Sequence, residues 1–191
     1  MALKLVNGPA IEAITVTEVK EHMRVDHSEE DTLIASYIAT SRLHIETALG
    51  LSLITQHWTW FADCWPFNGI VEVPLRPLQS VSEIRLRDGD DSLQVIDPVV
   101  YAVDTISEPP RIASRTGYWP TPNAELNGIE IDLKTGFGDA ANDVPADIRQ
   151  ALLLLTTHWF ENRDPALLDH GSVAIPKSVS SHLQAFKLAK I

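Results

Sequence analysis

The chain has 191 residues, 45% of them hydrophobic and 21% charged, with a formal net charge of −11; these values describe an ordered globular protein of one domain, or of one domain with an inserted subdomain. So acidic a balance argues against general nucleic-acid binding, which needs clustered Lys and Arg, although an acidic surface can lie beside DNA without sticking to it. The single cysteine, Cys64, excludes an internal disulfide and a cysteine-based zinc cage and suits a reducing compartment; no leader pattern and no run of ~18 apolar residues is present, so neither a secretion signal nor a membrane span is expected.

Residues 1–13 carry Pro9 and little periodicity, and read as an extended N-terminal arm. In "TVTE", Thr15 stands three residues before Glu18, the capping-box spacing, ahead of a short stripe of Val16, Val19 and Met23. Ser28 and Asp31 repeat that spacing before a longer helix with Leu33, Ile34, Tyr37, Ile38, Ile45, Ala48 and Leu49 on its apolar face. Gly50 is placed where a helix end needs positive φ, so helices are expected within 15–50.

From Leu51 the texture changes. "LITQHWTWFADCW" alternates and is rich in aromatic and β-branched residues, as strands are. "GIVEVPL", "VSEIRLR" and "LQVID" follow, the last two joined by Asp88-Gly89, a hairpin signal. "VYAVDTI", "PRIAS" and "GIEIDLKTGFG" add three further strands between proline-rich loops. Residues 53–137 therefore read as an antiparallel β insertion.

The strongest helix is predicted over 145–163, in "VPADIRQALLLLTTHWFENRD". Pro145 suits a first turn, and Asp147 and Arg163 suit the two ends of the helix dipole. Ile148, Ala151, Leu152, Leu155 and Trp159 form one stripe, while Leu153, Leu154 and Phe160 widen the apolar surface beyond ~100°. Such a helix is covered on two sides, either as a central core helix or between its own bundle and a neighbouring subunit; periodicity leaves both open. Residues 165–191 form a tail with Pro165, Gly171 and Pro176. Its short segment Val179–Leu188 has Val179, Leu183 and Phe186 toward one side, and from Gly171 onward the only charges are Lys177, Lys187 and Lys190. Alone, such a helix is marginal and gains order by docking. The fold class expected is α+β: a small helical bundle with an antiparallel β insertion between the N-terminal helices and the C-terminal one.

Enzymatic signatures are weak. His22, Asp26, His27, Glu29 and Glu30 lie at a helix junction without metal-ligand spacing. His158 reads as a core or interface residue, and Cys64, between aromatics, as a small buried hydrophobe. "TGFGD" lacks the lysine and spacing of a phosphate loop, and "DGDD" is too short for a calcium loop. No catalytic residue, metal site or cofactor is expected. The remaining enzymatic reading is an accessory enzyme or small-ligand binder with His57, Asp63 and Cys64 lining a pocket in the β region.

Three stretches together carry a resemblance: "ITVTEVKEHMRVDHSEEDTLIASYIATSRLHIETALGLSLITQHW" (14–58), "VPLRPLQSVSEIRLRD" (73–88) and "VPADIRQALLLLTTHWFENRD" (144–164). As an ordered set they resemble the head–tail connector (adaptor) proteins of tailed phages, prophages and gene transfer agents, over residues 14–164. The resemblance implies a non-enzymatic connector in the neck of a phage-like particle, assembled in the bacterial cytoplasm. It implies a homo-oligomeric ring, usually dodecameric, between the portal and the stopper or tail-side neck proteins, with DNA passing through the channel unbound. A ring needs heterologous subunit faces, which Leu153, Leu154, Trp159 and Phe160 are expected to supply. Trp58, Trp60, Trp65 and Trp119 are further anchor candidates, at least half of them expected to fill the β core. The resemblance also implies a C-terminal contact with the portal, for which Lys177, Val179, Leu183, Phe186, Lys187 and Lys190 are the candidates.

Overall fold

The computed structural model describes residues 1–162 and 175–188 and confirms an α+β chain. It divides into two compact units: Met1–Ala10 with Gly50–Phe137, and Ile11–Leu49 with Gly138–Ile191. Among the described residues no helix is long and apolar enough to cross a membrane.

The helical unit begins with α1 (Val16–Met23), whose capping box forms as its sequence predicts. Glu18 N donates to Thr15 Oγ1 at 3.1 Å, and Thr15 N donates to Glu18 Oε2 at 2.7 Å, satisfying backbone groups that a helix start leaves unpaired. The second expected box does not form. Helix α2 (Asp31–Leu49) starts after a turn in which Asp31 N donates to Ser28 O at 3.3 Å. Ser28 thus closes the preceding turn, and the Asp31 carboxylate is taken by Lys20 at 2.8 Å. Within α2, Arg42 is buried between Glu12 and Glu46, each at 2.8 Å. These hydrogen bonds and charges outweigh the effect of burial and raise the guanidinium pKa above its ordinary value. Two later helices, α3 (Ala146–Glu161) and α4 (Lys177–His182), complete the described part of this unit.

The β unit has a five-stranded and a three-stranded sheet. The first contains β1 (Ala2–Asn7), β2 (Gln56–Ala62), β4 (Leu78–Arg87), β5 (Leu93–Val95) and β8 (Ile129–Thr135), in the order β1-β2-β8-β4-β5. The second contains β3 (Ile70–Glu72), β6 (Tyr101–Asp104) and β7 (Arg111–Ser114), in the order β3-β7-β6. Every adjacent pair is antiparallel. The strands expected between 53 and 137 are present, and β1 joins them from within the segment read as an arm, pairing Leu3 with Trp60 and Leu5 with Trp58.

Register separates the large sheet into two faces. Trp58, Trp60 and Ala62 sit opposite Leu133, Ile131 and Ile129, and Val81, Ile84 and Leu86 sit opposite the same three residues. That face shares one apolar core with Val71, Val73, Tyr101 and Ile112 of the second sheet region. Each such side chain, fully buried, contributes about 2 kcal/mol relative to exposure. Trp60 is buried, while Trp58, Trp65 and Trp119 pack partly against this core, so the tryptophans are largely core residues. The alternate residues make the other face charged. There Arg85 meets Glu83 at 2.6 Å, Asp132 at 2.8 Å and Glu130 at 3.2 Å, and Arg87 also pairs with Glu130.

Two glycines show where a positive φ is needed. Gly50 has φ +64°, as expected after α2, and Gly136 has φ +126° where an added Cβ would lie 2.7 Å from the Ile54 carbonyl and Thr55 nitrogen. The β4–β5 hairpin exists, but it is not a tight Asp-Gly turn. Its loop runs from Asp88 to Ser92, and the left-handed residue is Asp91, φ 65°, not Gly89.

Candidate functional site

Helix α3 is preceded by Pro145 at its cap (φ −51°, ψ 137°), with Asp147 in the first turn. Its buried stripe is Ile148, Ala151, Leu152, Leu155 and Thr156. Polar contacts hold it within the helical unit: Thr156 Oγ1 donates to Ser41 Oγ at 3.0 Å, and Arg149 Nε donates to Ala13 O at 3.2 Å while its guanidinium pairs with Glu18 of α1.

The four residues expected at a subunit interface are all half-buried in the single chain, but they do not share one side. At about 100° per residue, Leu153 and Phe160 lie within roughly 20° of each other on one flank of the buried stripe, and Leu154 lies on the other flank. Trp159 instead continues the stripe and meets His44 of α2 edge-on, ring centroids 5.7 Å apart.

The C-terminal segment divides similarly. Val179 and Leu183 are buried, at 0% and 7% exposure, because the apolar side of α4 docks on α3; His182 Nδ1 also lies 3.2 Å from Asp147 Oδ1. Expected as portal contacts, these two apolar residues are already used within the chain. Lys177 and Lys187 are exposed and Phe186 is half-buried. Lys190 and Arg163 lie outside the described residues.

At one end of the β unit, Trp65 and Trp119 stack with centroids 4.1 Å apart. Trp65 Nε1 donates to Pro120 O and Trp119 Nε1 to Gly69 O, both at 2.8 Å, so each ring clasps the loop carrying the other. The resulting cleft, about 500 Å³, is lined by Asp63, Cys64, Phe67, Tyr118 and Glu125 among others. Phe67 and Tyr118 project outward, exposed to 110% and 84%. His57 lies in a different cleft with Val6, Trp58 and Asp132, and the Asp63 carboxylate accepts a bond from Asn127 N at 2.8 Å. The trio His57, Asp63 and Cys64 is therefore not brought together, and Cys64 lies exposed on a loop, not buried as its aromatic neighbours suggest. Among the described residues there is also no group of three or more His, Cys, Asp or Glu placed to hold a metal.

Sequence reasoning missed β1 as a strand and the charged sheet face. The second was legible: the alternation in "SEIRLR" puts Glu83, Arg85 and Arg87 on one side, matching Glu130 and Asp132 in "IEID".

The geometry defines an α+β protein whose most distinctive surfaces are apolar edges and aromatic loop tips. Residues 13–89 match the family model described as phage gp6-like head-tail connector protein. A chain from the neck of an empty GTA particle, computed with C6 symmetry, shares the fold with TM-score 0.87 at 23% identity, covering 100% of this chain and 97% of that one. A chain from the virion of a native gene transfer agent (GTA) particle matches with the same values. A third, from the neck of a native GTA particle computed with C12 symmetry, gives TM-score 0.82 at 23% identity over the same shares. No curated protein matches the chain.

Proposed function

We propose that this chain is a structural head–tail connector subunit, forming a ring in the neck of a tailed phage or gene transfer agent particle. The carrying observation is the agreement of two findings: the connector-family match at 13–89 and a fold shared along the whole chain with chains of GTA necks. In this reading the work is assembly, with no catalysis and no cofactor. The ring is a dodecamer, in keeping with C12 symmetry in one matching particle, and it sits between the portal and the stopper or tail-side neck protein. Leu153, Leu154 and Phe160 supply part of a heterologous subunit interface. Lys177 and Lys187, with Phe186, remain at the surface for the portal. The net charge of −11 keeps the protein wall of a DNA channel from binding the duplex, since like charge repels.

The test is reconstitution. Purified protein mixed with the portal of the same particle is examined by electron microscopy and mass photometry. Twelve-fold rings on the portal are the expected result; a monomer that neither forms rings nor joins portal overturns the reading.

A further inference from the structure

The five-stranded sheet ends in β1 on one side and β5 on the other, and both edges are open. All of β1 and all of β5 is exposed. Among the described residues, the backbones of Leu3 to Leu5 and of Leu93 to Val95 make no hydrogen bonds beyond the ladders to β2 and β4. Apolar side chains stand on both edges: Leu3 39%, Leu5 44% and Val6 54% exposed on one, Leu93 45% and Val95 53% on the other. Open apolar edges invite strand addition, and proteins that stay apart blunt them. The edges also differ in sign. β1 carries Lys4 and no acid, while Asp88, Asp90, Asp91 and Asp97 flank β5.

Direction follows from topology. Four successive antiparallel pairings separate β1 from β5, so the two outer strands run the same way. A rotation that carries one copy onto the next brings β5 beside β1 as parallel neighbours. A two-fold contact between two β1 strands would be antiparallel and could not continue round a ring.

We infer that β1 of one copy adds in parallel to β5 of the next, so that the five-stranded sheets continue from subunit to subunit. The inference rests on the ring reading above and names the contact that closes it. A second copy is the occupant because the edges are unlike, opposite in charge and correctly oriented for head-to-tail addition. Parallel pairing is slightly weaker per residue than antiparallel, which suits an interface completed on assembly. Register fixes which side chains meet. Leu3 and Leu5, opposite Trp60 and Trp58, share the core face with Gln94, opposite Leu86. Lys4, opposite Thr59, shares the charged face with Leu93 and Val95, opposite Arg87 and Arg85.

Cysteine pairs in the full chain test this, with the exposed Cys64 replaced by Ser. Leu3→Cys or Leu5→Cys combined with Gln94→Cys, and Lys4→Cys combined with Val95→Cys, are expected to give a ladder of covalent oligomers when portal-bound rings are oxidised. The opposite-face pair Leu5→Cys with Val95→Cys is expected to lose that ladder. As a second measurement, Lys4→Glu is expected to weaken assembly most at low salt while leaving thermal unfolding of the monomer unchanged. Normal rings that give no ladder from any same-face pair, and that tolerate Lys4→Glu, overturn the strand junction and leave the ring reading intact. Covalent dimers from Leu5→Cys alone would show β1 pairing with itself and also overturn it. Failure to form rings or bind portal at all counts against the ring reading itself.

Discussion

In the helical unit Val179 and Leu183 are buried beside α3, and an arginine is enclosed between two carboxylates. In the β unit Leu3, Leu5, Leu93 and Val95 stay at open sheet edges, and Phe67 and Tyr118 project from the loops. Both units have a full apolar interior, so the contrast is not one of stability. It lies in what each leaves uncovered: single apolar side chains such as Leu43 and Leu188 in one, against whole strands in the other. Apolar surface kept in water has a use beyond the fold, and the β unit keeps more of it at its edges.

Breaking the helical interior should have the largest effect. Arg42 sits between Glu12 and Glu46 with its side chain 10% exposed and that of Glu46 9% exposed. Arg42→Ala removes one partner of a buried pair and is expected to cost about 3–5 kcal/mol, read from the midpoint of urea unfolding. Arg42→Met, paired with Glu46→Leu, should recover much of that loss, because two apolar groups need no partner. Recovery would separate the cost of an orphaned charge from the cost of a lost cross-link.

Next come cavities. Leu155 and Ile131 are 0% and 1% exposed, one in each unit, and truncation of either to Ala should cost about 3 kcal/mol. Leu5→Ser and Phe67→Ser should change monomer stability by no more than about 0.5 kcal/mol, yet Leu5→Ser should impair ring assembly. If Leu5→Ser destabilised the monomer as Leu155→Ala does, β1 would belong to the interior and the contrast between the units would fail.

What could be read beforehand follows the same division. The α3 stripe and the strands of the β unit were legible because burial imposes a period on the residues that make them. Even the glycine after α2 was, since positive φ leaves few choices. β1 was not: its six residues are all exposed, so no burial pattern marks them, and its state is set by pairing with a distant strand. Ser28 has the spacing of a capping box, but spacing does not decide which turn the chain closes before a helix begins. The Asp-Gly signal found the hairpin and missed the loop, because Asp91 takes the left-handed position. At the C-terminus, amphipathicity showed that Val179 and Leu183 need a surface to dock on. It did not say whose surface, and in this chain α3 supplies it.

An effect smaller than those of the helical interior sharpens the helical side of the comparison. Thr15 and Glu18 cap α1 reciprocally, and Glu18 also pairs with Arg149 of α3. Burial works to raise the Glu18 pKa, but the hydrogen bonds from Thr15 and the Arg149 charge outweigh it and lower the carboxyl below its ordinary value of 4.5. A carboxylate with a depressed folded-state pKa stabilises above its unfolded pKa, and that stabilisation is lost as pH falls through the folded value. Stability should therefore decline on acidification below about pH 4.5, and Glu18→Gln should flatten that limb while changing little between pH 6 and 8 in the slope of stability against pH. Thr15→Ala should cost about 1 kcal/mol at neutral pH. It should also shrink the acid-dependent part, since one of the bonds holding the carboxylate is gone. An unchanged acid limb in both variants would place the pH sensitivity elsewhere, with Asp104, whose carboxyl the Ser107 and Arg111 hydrogen bonds hold well below its ordinary range, as the next site to probe.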